Sequence, residues 1–186
     1  FARATTTLTV GGGLSTGASG FWTGVGTTTF DGSVTAVWSD SNSTKQNIGN
    51  VLIDGTSKTV QLGSTVRANS ITIGADDILD STTSNHDIQV IGHWTNNNSF
   101  VANSGEVVFV ATSTGRVITT GSSAFYDLTF NGAGGAWSFT NPTLTVGNDF
   151  TISTGTVTLA TATTTVTGSF LNSGGAFAHN NGVLFF

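Results

Sequence analysis

Apolar and polar residues alternate in short segments along nearly the whole chain. The segments are Thr7–Val10, Val51–Ile53, Thr59–Leu62, Ser70–Ile73, Asp87–Val90, Val107–Phe109, Leu128–Phe130, Trp137–Phe139, Leu144–Val146, Phe150–Ile152, Thr156–Leu159 and Thr164–Val166. Period two sends one set of side chains to a core and the other to solvent, so each segment predicts a β-strand. The spacers carry Gly, Asn, Asp and Ser, as turns do. Asn96–Asn98, Asn103, Asn131, Asn172, Asn180 and Asn181 read as corner residues, because Asn tolerates left-handed backbone. The first repeat is the least regular, and its run from Trp38 to Gly49 lacks the alternation. It predicts a loop bulging from the scaffold.

A longer period overlies the short one. Val10, Leu14, Phe21, Gly26 and Phe30 recur as Val90, Trp94, Phe100, Gly105 and Phe109, and again as Val166, Phe170, Phe177, Gly182 and Phe186. The copies start 80 and then 76 residues apart. Such a period marks a stacked array. Tight spacing between apolar centres leaves no room for long hairpins and suits coils of two or three short strands. Three strands and their corners need about 23 residues, so each repeat would span three to four coils. The reading is an all-β, right-handed parallel β-solenoid. Its hand follows the preference for right-handed crossovers. The chain is one continuous unit, with repeats over about 10–89 and 90–165 and a partial copy over 166–186. A β-sandwich is the alternative fold, but it would not produce a repeat cut partway through its third copy.

Composition agrees with this picture. There are 35 Thr and 25 Gly in 186 residues, with one Pro and neither Cys nor Met. Thr is β-branched, which stiffens χ1 and favours extended backbone. Charged residues make up 8 % of the chain, against roughly 25 % in typical soluble domains. Five basic residues form no patch, which argues against nucleic acid as a partner. No apolar run approaches the roughly 20 residues of a membrane-spanning helix. The chain does not begin with Met, which suggests a processed product or part of something longer. Low charge with abundant Thr, Ser, Asn and Gly suits an extracellular or cell-surface protein.

With these segments laid out, the chain resembles the β-solenoid regions of bacterial surface proteins, such as autotransporter passenger domains and filamentous-haemagglutinin-like adhesins. The resemblance rests on the Leu/Val-Thr-Val-x-Gly-x-Phe unit at Leu144 to Phe150 and, less closely, Thr164 to Phe170. The segments Asn103 to Phe109 and Ser70 to Gly74 belong with it. It implies a stalk, fibre or adhesin, and none of its motifs is catalytic.

A search for chemistry finds little. His86 and His93 are seven apart and His179 is remote, so no zinc pair forms. Gly11–Gly13 opens no helix and is not a phosphate loop. Asp76, Asp77 and Asp80 cluster without the alternating spacing of a calcium loop and read as a solvated turn. No cofactor or metal is expected, and the chain is not read as an enzyme. A polysaccharide-cleaving β-helix would need basic and acidic groups along one face, which five basic residues do not supply. Trp94 and Trp137 belong to the core by their positions. Trp22 and Trp38 are the candidates for stacking on surface glycans, beside the Trp38–Gly49 loop.

The two ends carry the main functional expectation. Leu8 and Val10 open the chain, and Val183, Leu184, Phe185 and Phe186 close it, with no polar cap between them and solvent. Unpaired strand edges invite further pairing. The expected partner is therefore another copy, stacked head to tail into a self-assembling filament. A glycan- or host-binding adhesin is the alternative.

Overall fold

The computed structural model describes residues 6–19, 22 and 26–186. Phe21 of the first repeat copy lies outside the described residues. Every strand pairing is parallel, and the paired residues lie 19 to 24 positions apart. The chain is a β-solenoid of about eight coils. At about 4.8 Å between rungs the stack is about 38 Å long.

Three faces build each coil. Face 1 begins with Thr7–Val10 and rises through Thr27–Phe30, Asn50–Ile53, Ile71–Ile73, Trp94–Asn96 and Arg116–Thr119. Face 2 runs through Leu14–Thr16, Ala36–Asp40, Thr59–Leu62, Ile78–Asp80 and Ser99–Val101. It continues through a single bridge from Phe125 to Val146, and then Thr143–Val146, Thr163–Val166 and Val183–Phe185. Face 3 starts at the Asn47–Arg67 bridge and continues through Val66–Ala68, Ile88–Val90 and Glu106–Phe109. Two long strands, Asp127–Phe139 and Phe150–Thr158, turn the corner from face 3 to face 1 without breaking. Their bends fall at glycines: Gly134 and Gly155 have φ of 83° and 88°, which a side chain would strain. Above them, Phe170–Asn172 closes face 3 and Ala176–Ala178 closes face 1.

Alternation decides what is inside. On face 3 one inward column reads Val66, Ile88, Val107, Leu128, Phe150 and Phe170. Its neighbour brings the rings of Phe109 and Phe130 into a stack at 5.2 Å and 12°. Two polar residues inside the column of Val10, Phe30, Ile53, Ile73 and Asn96 and its neighbour are satisfied. Asn96 donates through Nδ2 to Thr120 O at 2.9 Å, and the Thr28 hydroxyl donates to Ile48 O at 3.0 Å. Thr164 is different. It sits between Leu144 and Leu184, is fully buried, and its hydroxyl has no hydrogen-bond partner. An unpartnered buried hydroxyl costs stability. Thr164→Val is therefore expected to stabilise the chain by about 1 kcal/mol. A urea midpoint that moves down instead of up contradicts this.

The repeat does span between three and four coils, but its copies do not stack on one another. From Val10 the register climbs three coils through Phe30 and Ile53 to Ile73 on face 1, then crosses two faces to reach Val90 on face 3. From Val90 it climbs three more and crosses to Val166 on face 2. Each copy thus advances by three coils and two faces, and the pattern rotates around the prism.

The expected bulging loop is also corrected. Trp38 to Asp40 belong to the strand Ala36–Asp40. The remainder is a packed corner in which Ile48 is buried. A buried carboxylate organises it. Asp40 accepts from the backbone N–H of Asn42 at 2.9 Å, from the Asn42 side-chain amide at 2.6 Å and from the backbone N–H of Gln46. Lys45 Nζ donates to the Asp40 carbonyl at 2.8 Å. Burial raises the pKa of Asp40, but these hydrogen bonds and one from the Thr16 hydroxyl more than offset it. The carboxyl therefore titrates below the ordinary aspartate range.

Candidate assembly interface

The two ends of the stack are built from different residues but share faces. At the start, among the described residues, Thr7–Val10 is paired on one side only on face 1, and Leu14–Thr16 on one side only on face 2. Leu8, Val10 and Leu14 are half-buried. Lys58 fixes this end from inside. Its side chain is fully buried and passes the second coil, and Nζ donates to Gly11 O at 2.6 Å in the corner of the first.

At the far end, each face offers one inward apolar side chain. Phe170 comes from face 3, Phe177 from face 1 and Leu184 from face 2, all partly buried against the core below. The rings of Phe170 and Phe177 lie 5.2 Å apart, and Phe186 lies 6.2 Å from Phe170. Alternation places Val183 and Phe185 outward at the side of the last rung, 53 % and 54 % exposed. Phe186 is 75 % exposed. Of the residues expected at this end, Leu184 and Phe186 therefore belong to the end plate, and Val183 and Phe185 flank it. Phe170 and Phe177 complete the plate, although the end of the chain does not point to them. Their recurrence as aromatic repeat positions is the signal that could have found them.

Among the described residues, the strands at both ends carry no charged side chain. All ten acidic residues lie between Asp31 and Asp149, and residues 6–30 and 150–186 contain no Asp, Glu, Lys or Arg. Natural sheet edges are commonly protected from pairing by charge, proline or bulges. The edges described above have no charge to oppose a partner.

The other candidates fall into structural roles. Trp38 is 1 % exposed and stacks in register between Leu14 and Leu62, with its ring 6.1 Å from Phe30. It cannot contact a glycan. The reason is parity: exposed Val37 points outward, so Trp38 points inward. Trp22 does lie beside the corner expected to accompany it, with its backbone N–H donating to Gln46 Oε1 at 3.2 Å, but it packs partly buried against the core. The acidic cluster caps corners, but it is not the solvated turn expected: Asp77 is fully buried, and only Asp76 is exposed. Asp76 accepts from Ser57 N–H and Asp77 from Lys58 N–H, while Asp80 accepts from Thr82 N–H and the Asn103 amide. Asn103, Asn180 and Asn181 adopt the left-handed backbone expected of corner Asn, with φ of 48°, 53° and 60°. Among the described residues, no three His, Asp or Glu side chains converge as a metal site requires.

No family model, no curated protein and no solved structure matches the chain. The ends and faces of the solenoid itself therefore carry the functional argument.

Proposed function

We propose that the chain is a segment or subunit of an extracellular or cell-surface fibre that lengthens by stacking strand on strand at its ends. The observation that carries this reading is that the two ends correspond on faces 1 and 2 and that the end strands on those faces carry no charged side chain. The next rung on face 1 would place Thr7–Val10 of a second copy over Ala176–Ala178, and Leu14–Thr16 over Val183–Phe185. Leu8, Val10 and Leu14 would then cover Phe177 and Leu184. Parallel pairing continues in one direction, so the contact is heterologous and does not close on itself, which is the geometry of a filament. It is the face shared by the end strands that matches them, rather than the phase of the long repeat.

Such association is concentration-dependent. The chain is expected to elute with increasing apparent mass as its concentration rises. Phe177→Asp with Leu184→Asp, which puts carboxylates on the end plate, is expected to remain a monomer throughout. A chain that is monomeric at every concentration, or a double variant that assembles as well as the parent, refutes the proposal. The glycan-binding alternative retains Trp22 alone, since Trp38 is inside.

A further inference from the structure

One outward surface differs from the rest. On face 1, the outward residues Thr9, Thr29, Thr72, Thr95, Thr119 and Thr140 form a single column on seven successive rungs, interrupted only by Leu52. The parallel column two residues earlier reads Thr7, Thr27, Asn50, Ser70, His93, Val117, Ser138 and Thr158, polar on every rung but one. The rungs repeat at about 4.8 Å along the axis, and the two columns are about 6.6 Å apart along the strands. The outward side chains of Thr29, Thr72 and Thr95 are half-exposed. Thr119 and Thr140 share a hydroxyl hydrogen bond at 2.7 Å.

Composition alone does not produce this column. Coils of 19 to 24 residues must keep Thr in register while their corners vary. The charged groups avoid the same surface. Face 3 shows Arg67 and, at its leading edge, a column of Asp87, Glu106, Asp127 and Asp149 on successive rungs. Face 2 shows Asp80. Among the described residues, the outward positions within the strands of face 1 carry no carboxylate, ammonium or guanidinium and no Phe, Tyr or Trp; Asp31 and Asp54 lie exposed at its trailing edge, just past Phe30 and Ile53. Arg116, at inward parity in its strand, reaches Ser113 in the adjoining corner.

We infer that face 1 is a binding surface for ice. A crystal of water is recognised by a surface that holds its own first water layer in the crystal's arrangement. That requires a two-dimensional repeat close to the oxygen spacings of ice. It also requires hydroxyls that hydrogen-bond the layer, methyl groups that water cages without competing for it, and rotamers that do not wander. Thr supplies the hydroxyl, the methyl and a stiff χ1 in one side chain. Ionic groups would impose hydration shells of their own, and the strands of face 1 present none outward. Sugars are commonly met by aromatic platforms, which this face lacks. Its outward apolar side chains, Leu52, Val117, Ala136, Ala176 and Ala178, are scattered and mostly small, too little for a sheet-on-sheet contact with another copy.

The inference is independent of end stacking and is tested on the unmodified chain. Growing ice crystals are expected to be faceted and their recrystallisation slowed, with labelled chain taken up into slowly growing ice. Thr72→Lys with Thr95→Lys is expected to lose this activity while keeping the β-sheet circular dichroism of the parent. Thr129→Lys with Thr151→Lys, outward on face 3, is expected to retain it. Crystals that grow as they do in an inert protein, with the label excluded, overturn the inference whether or not the variants fold. Equal activity in the face 1 and face 3 variants overturns it as well.

Discussion

Phe130→Ala is expected to destabilise the solenoid by about 3–5 kcal/mol, the usual cost of removing a fully buried aromatic ring. Phe130 is completely buried and lies at the junction of several rings. It stacks on Phe109 and lies 5.0 Å from Trp137, 5.9 Å from Phe150 and 6.2 Å from Phe139. Those contacts tie face 3 to face 1 across three successive coils. The bend that follows packs Gly132 and Gly135 against the carbonyl of Ala111 and Gly134 against that of Thr112. In a stacked array each coil is supported by its neighbours. The loss is therefore expected to uncouple the lower coils from the upper ones as well as to lower the denaturation midpoint. Phe177→Ala, on the last rung and only partly buried, is expected to cost much less. Hydrogen exchange resolved by segment would show Phe130→Ala opening the middle of the stack. Equal costs for the two variants would contradict a core of stacked rungs.

The second large effect concerns Asp40. Asp40→Ala removes the acceptor for two backbone N–H groups and one side-chain amide in a buried corner. Leaving buried donors unsatisfied is expected to cost about 2–4 kcal/mol at neutral pH. The pH dependence follows from the lowered pKa of this carboxyl. A group with a folded pKa below its unfolded value contributes stability above the unfolded value, about 3.9 for Asp, and loses it as pH falls through the folded value. The difference between parent and variant should therefore be largest near neutrality and shrink as pH falls below about 4. A difference that holds constant down to pH 2 would show that the carboxylate is not what organises the corner.

The charge-free end strands and the register of face 1 differ in how openly the sequence displays them. Strands such as Thr59–Leu62 are legible because apolar residues alternate over four positions, whereas Thr27–Phe30 and Ala36–Asp40 are not, because Thr28 and Asp40 take inward places. Leu14–Thr16 and Ser99–Val101 are only three residues long and carry too little pattern to stand out before their neighbours are known. The corner after Trp38 was opaque for another reason. It is held by a buried carboxylate and backbone donors rather than by an apolar stripe, so its polar sequence reads as exposed. The Thr column needed the register, because coils of unequal length scatter its members along the chain. The end plate needed it too: Phe170 and Phe177 are remote from the terminus in sequence and meet Leu184 only because three faces close one rung.

Electron microscopy of concentrated chain, with fibre diffraction from aligned material, tests the central claim most directly. The account predicts unbranched filaments one solenoid wide, with a strong reflection near 4.8 Å along the fibre axis, where rungs of successive copies continue one ladder. Separate short rods under the same conditions, or fibres whose strands lie along the axis instead of across it, would contradict it.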